Sequence, residues 1–474
     1  MFFKAKRGMY AMEKRESCGI VAAISKDGSP VAEIIYKGML ALQHRGQDAA
    51  GMALHSGGLK ERKGLGLVSE IFTEEDLKAG GNIGIAHTRY PTTDTCSIED
   101  VQPSVHRKLE LAVAHNGHIA NYAELRKELE AKGVMFRGTV DSEIILNVLA
   151  EAFEGGQGIE GAARHAMEKM DGSYSVVAIK DGALFAFRDP HAIRPFELGE
   201  SETAYIAASE TVAMDINGAR HLGQLKGGEI AIFRNDGVER RLLASEKPMH
   251  CMFEYVYFSR PDSRVNGIWV HEARARLGEA LAKEAPVEAD VVVPIPDTSR
   301  TAALYLSRAL GVPYEEGVIK NRYVARTFIM PEQKLRLRAI RAKLNPVRAV
   351  VEGKRIVLVD DSIVRGTTTK EIIELVRKAG AKEVHLRITC PPILHPCFYG
   401  VDMSTYEELI ANKKSVDEIR AYIGADSLHY ISLPALKKAI GADLCTGCLD
   451  GKYPTRQGEK LAKERGDSSG CGRS

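Results

Sequence analysis

The segment Val357–Thr369 contains the residue types that most directly suggest chemistry. It reads VLVDDSIVRGTTT, an apolar strand that delivers Asp360 and Asp361, followed after Arg365 by a hydroxylated run that opens a helix. Helix N-termini direct unpaired backbone N–H groups at anions, and glycine lets the backbone approach a phosphate closely. The acidic pair suits two ribose hydroxyls, or Mg²⁺ bound through its waters. The segment predicts a phosphate- and ribose-binding loop that matches neither the P-loop nor the G-x-G-x-x-G turn.

Cysteines are the second group of candidates. Cys18 begins an apolar strand, where an isolated cysteine is usually a small buried hydrophobe, so its position alone favours packing over catalysis. The pair Cys445 and Cys448 is spaced as half of a metal site, and Cys251 and Cys397 are available to complete it. From spacing alone, tetrahedral zinc and a disulfide remain alternatives. No role is predicted for Cys96, Cys390 or Cys471.

The composition is that of a globular protein with two or three domains. The chain has 474 residues, 44% of them hydrophobic and 27% charged, with a formal net charge of +2. No dense basic block indicates nucleic acid or membrane-surface binding, and the longest apolar runs are strand-sized. The first seventeen residues lack the apolar core of a secretory signal. Eight scattered cysteines do not make a disulfide framework, which indicates a reducing, cytoplasmic location.

The elements that position these residues differ between the two halves. In the first half, short strands are separated by glycine-rich turns, as in Cys18–Ile24 and in Leu111–His115, which we expect to end on Asn116-Gly117. Asp181-Gly182 predicts a hairpin. Further strands and helices are expected at Gly84–His87, Tyr174–Ile179, Ala183–Arg188, Tyr122–Lys132 and Ser142–Phe153. The mixture predicts a sheet-rich α+β domain.

After about residue 250 strands alternate with helices, which predicts a parallel α/β sheet. The expected domain boundary lies in Leu243–Met249, a polar stretch with one proline. The end of the chain, from Gly451, is charged and Gly/Ser-rich and is expected to fray. The expected strands and helices are Ala289–Pro294, Thr301–Leu310, Arg355–Val359, Lys370–Ala379 and Glu383–Thr389.

Several segments extend these signals into a resemblance. The loop at Val357–Thr369 resembles the signature of type I phosphoribosyltransferases, and the chain from Cys18 to about Thr455 resembles the amidophosphoribosyltransferase family. The supporting segments are FEYVYFSRPDS (Phe253–Ser263), IPDTS (Ile295–Ser299), IKNRYVARTFI (Ile319–Ile329) and PPILHPCFYG (Pro391–Gly400). Four others resemble the glutaminase domain of N-terminal-nucleophile amidotransferases: LQHRGQDAAG (Leu42–Gly51), HTRYPT (His87–Thr92), AHNGHI (Ala114–Ile119) and TVDSE (Thr139–Glu143).

The resemblance implies an α+β N-terminal-nucleophile hydrolase domain, an αββα sandwich, followed by an α/β type I phosphoribosyltransferase domain. The implied bounds are a propeptide at 1–17, a glutaminase at 18–248, a phosphoribosyltransferase at 249–455 and a flexible tail at 456–474. Cleavage before Cys18 would make it the first residue, with a free α-amino group as base. Asn116 and Gly117 would form the oxyanion hole. Glutamine would be bound by Arg45, Arg89, Thr92 and Asp141.

For the second domain, the resemblance implies binding of phosphoribosyl pyrophosphate. The 5′-phosphate loop would be Arg365, Gly366, Thr367 and Thr368, and the remaining substrate contacts would be Asp297, Lys320, Arg322, Asp360 and Asp361. Mg²⁺ would associate with Thr298, Asp360 and Asp361. In this family the loop from Lys320 to about Arg336 closes over the substrate. Relatives with a propeptide and four such cysteines carry a [4Fe–4S] cluster, implied here at Cys251, Cys397, Cys445 and Cys448.

The expected activity is therefore glutamine hydrolysis coupled to the formation of 5-phosphoribosylamine, the first step of purine synthesis. The family is commonly a homo-oligomer, dimer or tetramer, inhibited by purine nucleotides. One alternative is a relative of glucosamine-6-phosphate synthase, which would need a sugar-isomerase second half. Another is a catalytically silent, nucleotide-sensing regulator on the same fold; intact Cys18, Asn116 and Asp141 and the acidic pair argue against it.

Overall fold

The computed structural model describes residues 18–90, 97–321, 343–403 and 405–468. Its two large antiparallel sheets are built from residues up to 242, and its main parallel sheet from residues after 290. Within the described ranges, no helix has both the length and the apolar character required to cross a membrane.

Two antiparallel sheets form the first half. The first has seven strands, in the order β11 (Arg220–Gln224), β9 (Glu197–Glu200), β10 (Ala204–Ala208), β1 (Gly19–Ser25), β4 (Ile83–Arg89), β2 (Ala49–His55) and β3 (Leu59–Leu65). The second has six, in the order β13 (Gly237–Leu242), β12 (Glu229–Arg234), β8 (Ala183–Arg188), β7 (Gly172–Lys180), β6 (Leu111–Ile119) and β5 (Ser104–His106).

Alternation along the strands decides which side chains fill the space between these sheets. In β1, Ile20 and Ala22 belong to the apolar core between the sheets, whereas Val21 belongs to the core on the outer face. In β6, Ala112 and Ala114 likewise face the other sheet. The central strands β1 and β7 are buried on both faces and read as nearly continuous apolar runs, whereas the edge strands β3 and β13 are partly exposed and carry charged residues.

Helices cover the two outer faces and complete a helix–sheet–sheet–helix sandwich, which confirms the expected α+β, αββα class of the first domain. Ala32–Ala41 and Val212–Asp215 pack on the first sheet, and Asp141–Glu154 and Ile159–Lys169 pack on the second. The other helices of this half are Val68–Ile71, Glu74–Lys78 and Tyr122–Ala131, with 3₁₀ turns at Ile98–Asp100 and Arg107–Leu109.

A parallel sheet organises the second half, as expected for an α/β phosphoribosyltransferase domain. Its order is β17 (Val291–Pro294), β20 (Arg355–Asp360), β21 (Glu383–Ile388) and β22 (Ser427–Tyr430). Parallel neighbours need crossover connections, and the helices Arg300–Leu310, Thr367–Lys378 and Val416–Ile423 lie between successive strands. The carboxyl ends of all of these strands therefore meet at one edge.

Shorter elements surround this sheet. Three two-stranded pairs are β14 (His250–Cys251) with β23 (Leu444–Cys445), β15 (Arg264–Val265) with β16 (Ile268–Trp269), and β18 (Val318–Lys320) with β19 (Leu344–Pro346). The other helices are Val270–Glu284, Arg348–Val351, Ile410–Lys413, Leu433–Ile440, Gly447–Asp450 and Arg456–Ser468, with a π-helical turn at Glu254–Phe258 and a 3₁₀ turn at Tyr406–Glu408.

Local signals predicted the turns and helix ends well. Asp181 and Gly182 both have positive φ, 46° and 73°, and connect β7 to β8 as a tight hairpin. Gly311 ends the Arg300–Leu310 helix in the left-handed conformation at φ 68°. The first strand begins at Gly19, directly after Cys18, close to its predicted position.

Two expectations were wrong. The strand β6 does not end on Asn116-Gly117 but continues to Ile119, because β7 pairs with it along its whole length and Gly117 is accommodated at φ 138°. The chain after residue 455 is not a frayed tail up to 468. Arg456–Ser468 is a helix held to the first half, where the Gln457 backbone N–H donates to Asp171 over 3.1 Å.

Two candidate active sites and a cysteine cluster

The start of β1 faces the space between the two antiparallel sheets. Cys18 directly precedes β1 and lies two residues before Ile20, whose side chain lies in that space. Because side chains two residues apart in a strand share a face, the Cys18 side chain points into the same space. Gly19 pairs with Thr88 in the neighbouring strand β4, which brings Cys18 level with Arg89. His87 and Arg89 follow Ile83 and Ile85 on the inward face of β4, and both are buried.

Strand β6 brings Asn116 to the same region from the opposite sheet, since Asn116 follows Ala112 and Ala114 on the inward face. Gly117 is next along the strand. A Cβ atom there would lie 2.1 Å from the carbonyl oxygen of Ser173. Because no side chain fits, this position requires glycine, and its backbone can closely approach a ligand.

Buried polar atoms without hydrogen-bond partners collect around this cleft. Among the described residues they include both ring nitrogens of His87, Nε of Arg89 and Nδ2 of Asn116. Burial, reinforced by the charge of Arg89, holds the pKa of His87 well below its usual range, so this imidazole is neutral. Buried polar groups are nearly always paired, so this concentration is typical of a site built for a polar ligand.

Asp141 closes one side of the cleft, at the start of the Asp141–Glu154 helix. Its Oδ2 accepts the Ile119 backbone N–H at 3.0 Å and lies 2.9 Å from Nδ1 of His118, and its Oδ1 is 3.5 Å from Nε2 of His115. Burial alone would raise the pKa of Asp141, but the two histidines outweigh it and hold the pKa well below its usual range. The carboxylate is therefore charged and able to bind a cation.

Arg45 does not have the surroundings expected of a residue that binds the glutamine carboxylate. Its guanidinium is fully buried and forms ion pairs with Glu210 and with Glu254 of the second half. Nη2 also donates to Ser259 over 3.0 Å. Two carboxylates already engage the charge of Arg45, and its contact with the glutamine carboxylate stays a prediction. Thr92, predicted beside it, lies outside the described residues.

The second candidate site lies where β17 and β20 end. Asp360 and Asp361 lie at the end of β20 and are buried, and Thr298 follows β17. The Thr298 hydroxyl donates to Oδ2 of Asp361 over 2.5 Å, and the Ser362 hydroxyl donates to Oδ1 over 2.7 Å. Carboxylate and hydroxyl oxygens suit Mg²⁺, so the donor chemistry of these residues fits that ion.

The predicted phosphate loop opens the Thr367–Lys378 helix. Gly366 precedes it at φ 74°, so the chain turns sharply and the first backbone N–H groups of the helix point out of the sheet edge. Thr367 is exposed and Thr368 half-buried, so both hydroxyls can reach a ligand. Arg365, the first residue of the predicted loop, forms a 2.7 Å ion pair with Glu408.

Asp297 lies beside Thr298 in the turn after β17, and Lys320 is the last residue of β18. Nζ of Lys320 is 3.0 Å from Oδ2 of Asp297, and the Pro296–Asp297 peptide bond is cis. Both side chains are about half exposed, which leaves them accessible to a substrate. Arg322, the remaining predicted contact, is outside the described residues, as is most of the loop up to Arg336.

The candidate cluster cysteines converge where the second half meets the first, and the Cys251 backbone N–H donates to the carbonyl oxygen of Ile193 over 3.0 Å. Cys251 and Cys445 are paired residues in the parallel strands β14 and β23, and Cys448 follows in the next helix. The backbone N–H of Tyr399 donates to Sγ of Cys397 over 3.3 Å. None of these four thiols forms a disulfide. Burial, with a smaller contribution from nearby Glu254 and Cys397, raises the pKa of Cys251 to about 12.

The four thiols have the chemistry of ligands for a metal group. Among the described residues, no three His, Cys, Asp or Glu side chains are arranged as a group for a single metal ion. Zinc would need its thiolates about 2.3 Å from one centre. Each cysteine of an iron–sulfur cluster binds a different iron, so its ligands stand further apart. Four thiols that are free of disulfides and come from separate segments fit such a cluster.

Sequence reasoning missed several residues of these sites. His118 was not singled out, although it contacts Asp141, and neither was His87, although its motif was recognised. Glu254 was also missed, because a lone glutamate in an apolar run gives no sign of a buried partner. For His87, its place in an alternating strand beside Arg89 was the available signal.

Comparisons with known proteins match a different domain family to each half of the chain. A glutamine amidotransferase domain family matches residues 87–215, and a phosphoribosyl transferase domain family matches residues 270–426. The second match removes the sugar-isomerase alternative. The amidophosphoribosyltransferase of Methanothermobacter thermautotrophicus is 48% identical over 94% of this chain and 95% of its own length. That of Bacillus subtilis is 43% identical over 92% of this chain and 94% of its own length.

Solved structures agree with these relatives. A glutamine phosphoribosylpyrophosphate amidotransferase from B. subtilis, complexed with ADP and GMP, superimposes with a TM-score of 0.87 at 42% identity, covering 93% of this chain and 98% of that chain. A structure described as the allosteric regulatory enzyme of purine biosynthesis gives the same TM-score of 0.87 at 43% identity. Full-length identity and fold both agree with the geometry of the two sites: the chain belongs to the amidophosphoribosyltransferase family.

Proposed function

We propose that this chain hydrolyses glutamine at Cys18 and transfers the ammonia to C1 of 5-phosphoribosyl 1-pyrophosphate. The products are 5-phosphoribosylamine, glutamate and pyrophosphate, as in the first step of purine synthesis. The observation that carries the proposal is the presence, in one chain, of an unsatisfied polar cleft beside Cys18 and an acidic pair followed by a helix-opening loop. A silent regulator would have no need for both.

In the first site, the thiolate of Cys18 attacks the side-chain amide carbon of glutamine and forms a thioester as ammonia leaves. Nδ2 of Asn116 and the backbone N–H of Gly117 stabilise the tetrahedral oxyanion. Arg89 binds the substrate carboxylate and Asp141 its α-ammonium. Water then releases glutamate.

The base in this proposal is the α-amino group of Cys18, whose reference pKa of about 7.7–8.0 suits proton transfer near neutrality. It exists only if residues 1–17, which lie outside the described ranges, are removed as a propeptide. His87 supports this assignment, because a buried imidazole with a strongly lowered pKa is a weak base.

In the second site, the Gly366 turn and the following threonines bind the 5′-phosphate, and Asp360 and Asp361 bind the ribose hydroxyls. Thr298 and the acidic pair would hold Mg²⁺, which neutralises charge on the pyrophosphate when bound. Ammonia reaches C1 from the face opposite the pyrophosphate, so the configuration inverts. Ammonia can attack only as neutral NH₃, because protonated ammonium has no lone pair. A passage between the sites that excludes water would keep it neutral.

We also propose that Cys251, Cys397, Cys445 and Cys448 hold a [4Fe–4S] cluster with a structural role, since neither half-reaction transfers electrons. Thiols that form no disulfide suit a reducing, cytoplasmic compartment. By analogy with the relative crystallised with ADP and GMP, purine nucleotides are the proposed inhibitors, acting on a homo-oligomer.

The test compares glutamine with free ammonia as the nitrogen donor in the wild type and in Cys18→Ala. The variant should lose glutamine-dependent turnover and keep ammonia-dependent turnover, because only the first site is altered. Loss of both activities in a folded variant would refute the division between sites. Mass spectrometry of active enzyme that still carries residues 1–17 would refute the proposed base.

A further inference from the structure

A loop of the second half, Cys397–Gly400, lies directly against the strand that carries Gly117. At Gly400 the chain has φ 86°, and a Cβ atom there would lie 3.0 Å from the carbonyl oxygen of Gly117. The loop therefore approaches this strand so closely that a Cβ atom at Gly400 would fit only if the backbone of Gly117 or the Arg194 side chain shifted by a few tenths of an ångström. The two glycines lie far apart in the sequence but in contact in the fold.

Ser173 links the same loop to the next residue of the strand. Its hydroxyl donates to the carbonyl oxygen of Tyr399 over 2.9 Å and accepts the backbone N–H of His118 over 3.2 Å. The residue after Gly117 is therefore held through one hydroxyl to the second half of the molecule.

Arg194 fixes the loop from the other side. Its Nε and Nη2 donate to the carbonyl oxygen of Tyr399 over 3.1 and 2.9 Å, and Nη2 also donates to the carbonyl of Gly400. Its Nη1 lies 3.1 Å from Oε1 of Glu254. The guanidinium is fully buried, so these bonds form where water does not compete.

We propose that Arg194 and Gly400 are positioning residues for the oxyanion hole, because they hold the Cys397–Gly400 loop against the backbone of Gly117. Glutamine hydrolysis would then require the loop of the second half to be docked on the first. This inference rests on the proposed role of Gly117, and neither residue touches the substrate. It places control of the first reaction in a segment that begins at a cysteine of the candidate cluster.

The direct test is Gly400→Ala, with Gly424→Ala as the matched control. Gly424 has a similar φ of 78°, but no atom lies within 4 Å of the position that a Cβ atom would take there. Both variants therefore carry similar backbone strain, and only Gly400→Ala presses its Cβ atom against the backbone of Gly117. Loss of one oxyanion donor lowers kcat by roughly 10²–10³. Since Gly400→Ala would displace that donor and not remove it, we expect a smaller loss, about ten- to a hundredfold in glutamine-dependent kcat. The KM for glutamine should change little.

Ammonia-dependent synthesis and alkylation of Cys18 by iodoacetamide serve as the other readouts. In Gly400→Ala both should stay within about twofold of the wild type, since a displaced oxyanion donor affects neither the second site nor the thiol. Equal loss of ammonia-dependent activity, or a Gly400→Ala variant as active as Gly424→Ala, would overturn the inference. If the wild type itself shows no Cys18-dependent glutaminase, the proposed function has failed instead.

Arg194→Lys provides an independent variant. Lysine keeps a positive charge beside Glu254 but has one nitrogen, so it cannot donate to Tyr399 and Gly400 as the guanidinium does. We expect the same pattern, a lower glutamine-dependent kcat with ammonia-dependent activity retained. If Arg194→Lys had an unchanged glutamine-dependent kcat, Arg194 would not be a positioning residue. If Arg194→Lys failed to fold, the Gly400→Ala result would decide the proposal.

Discussion

Arg45 of the first half and Glu254 of the second form a fully buried ion pair, with Nη2 2.5 Å from Oε2. Burial disfavours the charged carboxylate, but Arg45 and Arg194 outweigh it and lower the pKa of Glu254. Glu254 therefore stays ionised and joins an arginine of the first half to the one that holds the Cys397–Gly400 loop. The interface between the halves is organised by charge as well as by apolar packing.

Removing Arg45 should destabilise the protein strongly. In Arg45→Met, Glu210 and Glu254 both lose a buried partner, and breaking such a pair costs about 3–5 kcal/mol. Urea unfolding would measure the loss. Arg62→Met is the control, because the Arg62 side chain is more than half exposed and its ion pair with Asp76 is 3.8 Å long, so the pair should contribute under about 1 kcal/mol. Equal effects of the two substitutions would contradict this account of the interface.

Replacing the Thr298 hydroxyl should impair the second reaction alone. Thr298→Val removes the donor to Asp361, and a hydrogen bond to a charged group is worth about 1.5–3 kcal/mol. We expect ammonia-dependent synthesis to fall by about ten- to a hundredfold. Alkylation of Cys18 should not change. Thr301→Val, about one helical turn further on, is the control, and a similar loss of synthesis there would show a general effect on packing.

The His118–Asp141 ion pair should give a pH-dependent stability. Burial disfavours protonated His118, but the charge of Asp141 outweighs it and raises the pKa of the imidazole above 6.5. Since the folded state binds the proton more tightly, the stabilisation is complete below pH 6.5 and is lost as the pH rises through the raised pKa. His118→Asn should therefore be destabilised at about pH 5.5 relative to wild type, and less so at about pH 9. If the urea midpoints of wild type and His118→Asn differed by the same amount at both pH values, this account would be contradicted.

Iron binding should depend on the four candidate cysteines and not on their neighbour. Prepared anaerobically with iron and sulfide, the wild type should bind about four irons per chain, as one [4Fe–4S] cluster contains. Cys445→Ser should lose most of this iron and its visible absorbance. Cys390→Ser is the control, because Cys390 is also buried and lies near Cys448 without belonging to the set. Full iron content in Cys445→Ser would contradict the ligand assignment.

Much of the fold was predictable because its signals are local. The Asp181-Gly182 hairpin and the helix end at Gly311 depend only on the conformations that short segments prefer. Reliance on local signals also explains the wrong prediction that β6 ends at Asn116-Gly117. A dipeptide typical of turns was kept extended by its pairing with β7, and that pairing partner lies far along the chain.

The sequence by itself determined the class of each half, the loop after Asp360 and Asp361, and the identity of Cys18 as a candidate nucleophile. These features could be predicted because they depend on patterns along the chain: the alternation of apolar residues in strands, the positions of glycines in turns, and the order of the motifs. Only the tertiary structure decided that Arg45 forms ion pairs with two glutamates, that His118 contacts Asp141, and that Gly400 touches Gly117. Those contacts join residues from separate elements, and which elements meet depends on how whole sheets and helices pack, which no local pattern specifies.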